Sequence, residues 1–290
     1  MSSTVLITII CLGLLALFSA VILYFIAQKF KVYEDPRIDE VQAVLPAANC
    51  GGCGFAGCRN FAEALVKADD FEGLNCPVGG APVMEEAARI LGKVAIKTDP
   101  TVAVLLCNGS PEFRIRTSQY DGVLDCRITN NLYIGETDCS YGCLGNGDCE
   151  RSCKFDALHM DPVTALPVII DAKCVSCGAC VKACPRDLIE LRKKAKKDRK
   201  IYVACSNCDK GGPARRACKV ACIACNKCFD VCEFGAITIE NNLAYIDSMK
   251  CTFCRKCATE CPTNAIIELN FPPKKPKAEV VTEGVSGKLL

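Results

Sequence analysis

The sequence predicts an α+β chain: one long apolar helix, followed by small cysteine-rich modules that mix short helices with hairpins. Three observations predict it. Residues 5–27 are apolar and carry no charge. A glycine-rich loop holds Cys50, Cys53 and Cys58, with Cys76 returning further on. One phrase, Cys-x2-Cys-x2-Cys-x3-Cys, recurs at 174–184, 222–232 and 251–261, behind a stretched copy at Cys139, Cys143, Cys149 and Cys153.

The apolar stretch comes first. At roughly 1.5 Å per helical residue it spans about 34 Å, enough to cross a bilayer. A cleaved signal peptide has a basic leader and a shorter apolar core. Here no Lys or Arg precedes the stretch, while Lys29, Lys31 and Arg37 follow it. The positive-inside rule then predicts a single-pass anchor in the cytoplasmic (inner) membrane, with the soluble part on the cytoplasmic side. No Asp, Glu, Lys, Arg or His lies inside the span. Such residues mark ion paths, so this chain alone is not expected to conduct an ion; if it belongs to a pump, the ion path is in partner subunits. Cys11, within the span, reads as a packing residue.

The repeated phrase is the spacing that wraps a [4Fe–4S] cube, whose fourth cysteine ligates the other cluster in two-cluster ferredoxins. That rule pairs the runs into two 2[4Fe–4S] ferredoxin-like modules. In the first, one cluster takes Cys139, Cys143, Cys149 and Cys184, and its neighbour takes Cys153, Cys174, Cys177 and Cys180. In the second, one takes Cys222, Cys225, Cys228 and Cys261, and the other Cys232, Cys251, Cys254 and Cys257. Two departures stand out. Lys154 and Glu233 follow fourth cysteines where the other runs have Pro185 and Pro262, and the first run is stretched.

The loop at Cys50 reads as a further site. Gly51, Gly52, Gly54 and Gly57 let the backbone fold closely around a cluster. Phe61, Leu65 and Val66 recur at helical spacing before Cys76 closes the set Cys50, Cys53, Cys58, Cys76. Gly52, Gly54 and Gly57 also match a dinucleotide fingerprint, but no strand precedes them and cysteines fill the gaps, so no NAD site is read here. The count is five [4Fe–4S] clusters. Six cysteines remain, Cys11, Cys107, Cys126, Cys205, Cys208 and Cys218, read as structural thiols; four of them could make a sixth cluster. A zinc scaffold is the reading from another class. It favours separated Cys-x2-Cys pairs, often with histidine, and His159 is the one histidine here. Disulfides suit small secreted domains, and cysteines two or three residues apart rarely bridge.

The bulk numbers agree. The 290 residues suffice for two or three small domains, and 35 basic against 33 acidic residues gives no support for nucleic-acid binding. With no Trp and few aromatics, the modules lean on metal for stability, and much of the chain is expected to unfold without iron. The organisation read is an anchor (1–28), a linker (29–46) and a four-cysteine [4Fe–4S] domain (47–100). A connecting segment (101–135) leads to module 1 (136–192), a basic linker (193–216), module 2 (217–270) and a disordered tail (271–290).

Inside those spans, 85–91 reads as a helix closed by Gly92, and 102–106 as a buried strand. Hairpins are expected at 157–160 with 166–170, around Asp161-Pro162, and at 236–239 with 243–246, around Asn241-Asn242. Their shared order indicates an internal duplication. The basic run Lys193, Lys194, Lys196, Lys197, Arg199, Lys200 reads either as a solvated linker or as a docking patch for an acidic electron donor.

The anchor, the loop Asn49-Cys-Gly-Gly-Cys-Gly-Phe-Ala-Gly-Cys58, the segments at 104–109, 120–126 and 141–145, and the ferredoxin runs together resemble the B subunits of Rnf complexes. The resemblance covers nearly the whole chain, in a longer form with two ferredoxin modules. It implies an iron–sulfur electron-transfer subunit of an ion-translocating ferredoxin:NAD oxidoreductase. Such a protein accepts electrons from soluble ferredoxin and relays them to membrane partner subunits, where the flavin and NAD sites lie. The neighbouring alternative is a related complex that reduces a redox-sensing regulator. No residue reads as a general acid, base or nucleophile.

Overall fold

A computed structural model describes residues 3–29, 35–95, 99–132 and 135–273. The expected tail at 271–290 lies almost wholly outside the described residues. The apolar stretch is helix α1 (Ser3–Lys29). Leu12, Leu15, Phe18 and Phe25 are all exposed along it. A helix that is apolar all round needs an apolar surround. Among the described residues it is the one helix long and apolar enough to cross a membrane.

Three helices build the next unit: α2 (Arg37–Val44), α3 (Cys58–Lys67) and α4 (Gly80–Leu91). Val41, Phe61, Leu65, Phe71, Met84 and Ala87 are buried together. Phe61 and Leu65 stand one turn apart and so share a face. Helix α2 occupies part of the segment expected to be a linker. Helix α4 starts earlier than the expected 85–91. Its Pro82 sits in the first turn, where a missing N–H costs nothing. It stops at Gly92, whose φ of 65° is the left-handed conformation that ends helices. Lys93 Nζ then donates to the Leu65 carbonyl at 2.7 Å, tying α4 to the end of α3.

The rest is one plan used twice. The first copy runs β1 (Thr101–Leu105), α5 (Cys126–Leu132), α6 (Asp148–Arg151), β2 (Leu158–Met160), β3 (Pro167–Ile169), α7 (Ala179–Ala183) and β4 (Ile189–Lys193). The second runs β5 (Lys200–Val203), α8 (Gly211–Ala217), α9 (Lys227–Asp230), β6 (Ile237–Glu240), β7 (Leu243–Ile246), α10 (Lys256–Glu260) and β8 (Ile266–Leu269). In each, an inner hairpin (β2–β3, β6–β7) is framed by an outer antiparallel pair (β1–β4, β5–β8). Both hairpins stand where the sequence predicts them. Asn241 and Asn242 turn the second with φ of 48° and 60°, the paired left-handed residues of a tight hairpin turn.

The outer strands extend each module beyond the bounds expected from sequence. β1 reaches across the whole first module to pair Val102 with Arg192, and β5 pairs Val203 with Ile266. The basic segment between the modules is therefore structured, and much of its charge is used internally. Lys193 pairs with Asp99 at 2.7 Å, Lys194 with Asp198 at 3.1 Å and Lys200 with Asp171 at 2.6 Å. The two modules also lock together through Arg192. It is buried, donates to the Ile246 carbonyl at 2.8 Å and lies over the rings of Tyr202 and Tyr245.

Candidate metal centres

The loop at Cys50 closes on itself. Asn49 Oδ1 accepts from the Cys58 amide at 2.9 Å, where α3 begins. Cys50, Cys53, Cys58 and Cys76 then line one cavity with about 320 Å³ of atom-free space. Backbone amides point at the sulfurs: Gly52 N lies 3.5 Å from Cys50 Sγ and Gly79 N 3.4 Å from Cys76 Sγ. Burial raises the Cys76 thiol, and the neighbouring Cys53 and Cys58 raise it further. Gly52 has no room for a side chain, because a Cβ there would stand 2.9 Å from the Cys177 backbone. The loop is thus packed directly on the first ferredoxin-like module.

Each cysteine run uses the same local device. A short helix (α6, α7, α9 or α10) starts after a residue in the left-handed region: Gly147, Gly178, Asn226 and Arg255, with φ of 77°, 73°, 63° and 70°. That kink turns the preceding cysteines inward while the helix carries the third. In three of the runs the fourth cysteine then accepts an amide hydrogen bond from four residues ahead. Ala157 N meets Cys153 at 3.4 Å, Leu188 N meets Cys184 at 3.4 Å and Ala265 N meets Cys261 at 3.3 Å.

The regular sets gather in space. Cys153, Cys174, Cys177 and Cys180 line a cavity of about 370 Å³, and Cys232, Cys251, Cys254 and Cys257 one of about 330 Å³. Burial pushes Cys228 up to about 11, with Cys222, Cys225 and Cys261 as the next causes, so those four are also mutual neighbours.

The stretched first run is different. The cavity that holds Cys143, Cys149 and Cys184, of about 390 Å³, is completed by Cys126 rather than Cys139. Burial, then the neighbouring Cys126, pushes Cys149 up to about 12. Cys139 instead lies beside Asn207, whose Nδ2 is 3.7 Å from its sulfur. The backbone explains the exchange. Gly147 stands two residues before Cys149, as Gly178 stands before Cys180. Counting back from that kink, Cys143 takes the first position of the run and Asn146 falls where the others have their second cysteine. Cys126 opens α5 with its amide 3.0 Å from the Asp148 carboxylate, which holds its thiol against the vacated place.

Residues 45–77 match a family described as a putative Fe-S cluster, 167–190 a 4Fe-4S binding domain and 221–265 a 4Fe-4S dicluster domain. The B subunit of the Na(+)-translocating ferredoxin:NAD(+) oxidoreductase complex of Acetobacterium woodii is 41% identical over 92% of this chain and 78% of its own length. The B subunit of the ion-translocating oxidoreductase complex of Methanosarcina acetivorans is 38% identical over 92% of this chain and 99% of its own. The B subunit of the proton-translocating ferredoxin:NAD(+) oxidoreductase complex of Clostridium ljungdahlii is 38% identical over 91% and 92%. The chain belongs to this family of B subunits.

In this family setting, the donor sets fit [4Fe–4S] clusters. They are all-sulfur and come in fours, as soft thiolates for iron–sulfur ligation do. His159 is exposed on β2 and takes no part in them. Among the described residues no group of three or more His, Cys, Asp or Glu is gathered as one bound ion requires. The thiols instead face each other across cavities. Amides directed at sulfur are the contacts that tune such sites. The structure brings Cys126, read from the sequence as a structural thiol, to the cavity of Cys143, Cys149 and Cys184; the local trace of this is that 143, 146, 149 and 153 keep the spacing of the regular runs, with Asn at the second place.

Proposed function

We propose that this chain is the electron wire of an ion-translocating ferredoxin:NAD oxidoreductase, taking electrons from reduced ferredoxin and delivering them to membrane partner subunits. When bound, the [4Fe–4S] clusters supply one-electron transfer. The observation that carries the reading is the succession of neighbouring cysteine sites within each module and from the first module to the Cys50 loop. Cys228 neighbours Cys257 in the second module. In the first module Cys149, on α6, and Cys153, two residues past its end, line two different cavities. Cys177 is in turn a charge neighbour of Cys50. The protein positions thiols, excludes water with Leu, Ile and Val side chains and directs amides at sulfur.

In this reading α1 anchors the chain as a single pass, with Lys29, Lys31 and Arg37 on the cytoplasmic side. The Cys50 site, nearest in sequence to α1, faces the membrane partners, and the second module faces the donor. Flavin and NAD belong to sister subunits. The test is Cys53→Ala in the assembled complex in membrane vesicles. Ferredoxin-driven NAD reduction should fall to background while the outer modules remain reducible by dithionite, seen by EPR. Turnover at the wild-type rate would overturn the relay.

A further inference from the structure

Four of the remaining cysteines converge. Cys107, Cys139, Cys205 and Cys218 line one cavity of about 300 Å³ at the junction of the two modules. They come from four separate places in the chain. Cys107 follows β1 by two residues and Cys205 follows β5 by two residues, so these two are equivalent positions of the duplicated plan. Cys218 follows α8, and Cys139 precedes the stretched run. The thiols are mutual neighbours: Cys218 is raised by burial and then by Cys139 and Cys107, and Cys205 by burial and then by Cys222 and Cys139.

The cavity is built as the other sites are. Asn207, 1% exposed, directs its backbone amide at Cys205 Sγ, 3.5 Å away, and its side-chain amide at Cys139. Arg114 is buried beside the thiols. Its Nη1 donates to the Cys143 carbonyl at 2.9 Å, and its Nε is buried with no hydrogen-bond partner among the described residues. Two glycines make room for it. A Cβ at Gly109 would lie 2.7 Å from Arg114 Cδ, and one at Gly142 2.5 Å from Nη1 and 3.5 Å from Cys139 Sγ. A guanidinium locked against four thiols answers the negative charge of a thiolate-bound cluster.

We propose that Cys107, Cys139, Cys205 and Cys218 hold a sixth [4Fe–4S] cluster, while Cys126 replaces Cys139 among the ligands of the neighbouring site. The inference rests on reading the other cysteine sets as cluster sites. None of the matched family segments reaches these five cysteines. The accounting closes: six sets of four leave only Cys11 and Cys208 of the 26 cysteines. The position also fills a gap. The Cys143 amide is 3.5 Å from Cys107 Sγ on one side, and the Cys222 amide donates to the Cys205 sulfur on the other. The sixth site therefore joins the two modules into one series.

The experiment is iron, acid-labile sulfide and zinc content of the anaerobically purified full chain and its variants. The wild type should hold about 24 iron per chain. Cys205→Ala, Cys218→Ala and the Cys139→Ala/Cys218→Ala double variant should each hold about 20, because they empty the same site. Cys126→Ala/Cys218→Ala should hold about 16, and Cys208→Ala about 24. A wild type with about 20 iron, unchanged by Cys205→Ala or Cys218→Ala, overturns the sixth site alone. So does one zinc per chain that is lost on Cys218→Ala. A wild type with almost no iron overturns the electron-transfer reading together with it. A variant that fails to fold leaves the wild-type count to decide.

Discussion

Asn207 shows how much one residue does here. It is fully buried, yet its polar groups are spent on two sulfurs and on the Asp209 amide, which its Oδ1 accepts at 2.7 Å. Hydrogen bonds to cluster sulfurs stabilise the more negative, reduced state and help set the potential. Asn207→Leu keeps the volume and removes the side-chain donor. Iron content should stay at the wild-type level while the midpoint potential of one cluster moves more negative in an EPR-monitored titration. An unchanged set of potentials would show that the amide does not serve a cluster. The same scale holds the clearest lesson about legibility. Cysteines at regular spacing announced their partners, because loop geometry is local. Cys126 and Cys139 exchanged sites because their partners are chosen by tertiary packing, α5 against the Asp148 turn and the stretched loop against Asn207. Only the position of Gly147 carried a local trace of it.

Short elements make the sites, and backbone conformation rather than propensity sets them. The helices after Gly147, Gly178, Asn226 and Arg255 run only four or five residues, far below what is stable alone. They persist because packing and thiol placement hold them. The hairpins were legible from alternation around Asp161-Pro162 and Asn241-Asn242. The pairings β1–β4 and β5–β8 were not, since a five- or four-residue strand does not name a partner that lies most of a module away. Between the Cys50 loop and the first module the contact is close enough to test. Gly52→Val forces atoms into the Cys177 backbone and Pro77, and such overpacking costs about 1–3 kcal/mol. The anaerobic holoprotein should melt several degrees lower, as read by the loss of cluster absorbance on heating. An unaltered melting curve would mean that the two units do not pack as described.

At the scale of the molecule, the two modules pack on each other through buried charged groups. Lys200, 8% exposed at its side chain, meets Asp171, 17% exposed, across the module boundary. Breaking such a pair by removing one partner costs about 3–5 kcal/mol, mostly because a charge is left stranded, whereas replacing both is far milder. Asp171→Ala should destabilise by that amount in denaturant melts, and Asp171→Ala/Lys200→Met should recover most of the loss. Equal effects from single and double variants would contradict a coupled pair. In the basic run that resembled a linker in the sequence, Lys193, Lys194 and Lys200 are paired with carboxylates of the chain, while Lys196 and Lys197 stay exposed. Charge counts in sequence cannot reveal this, because they do not say which lysines find carboxylates.

The central claim is that the chain is a wire of many electron-carrying sites. Reductive coulometry of the anaerobically purified full chain tests it most directly. Six [4Fe–4S] clusters should take up about six electrons per chain, with the reduced centres giving mutually interacting EPR signals. Negligible electron uptake by a colourless protein carrying stoichiometric zinc would contradict it and leave a structural scaffold in its place.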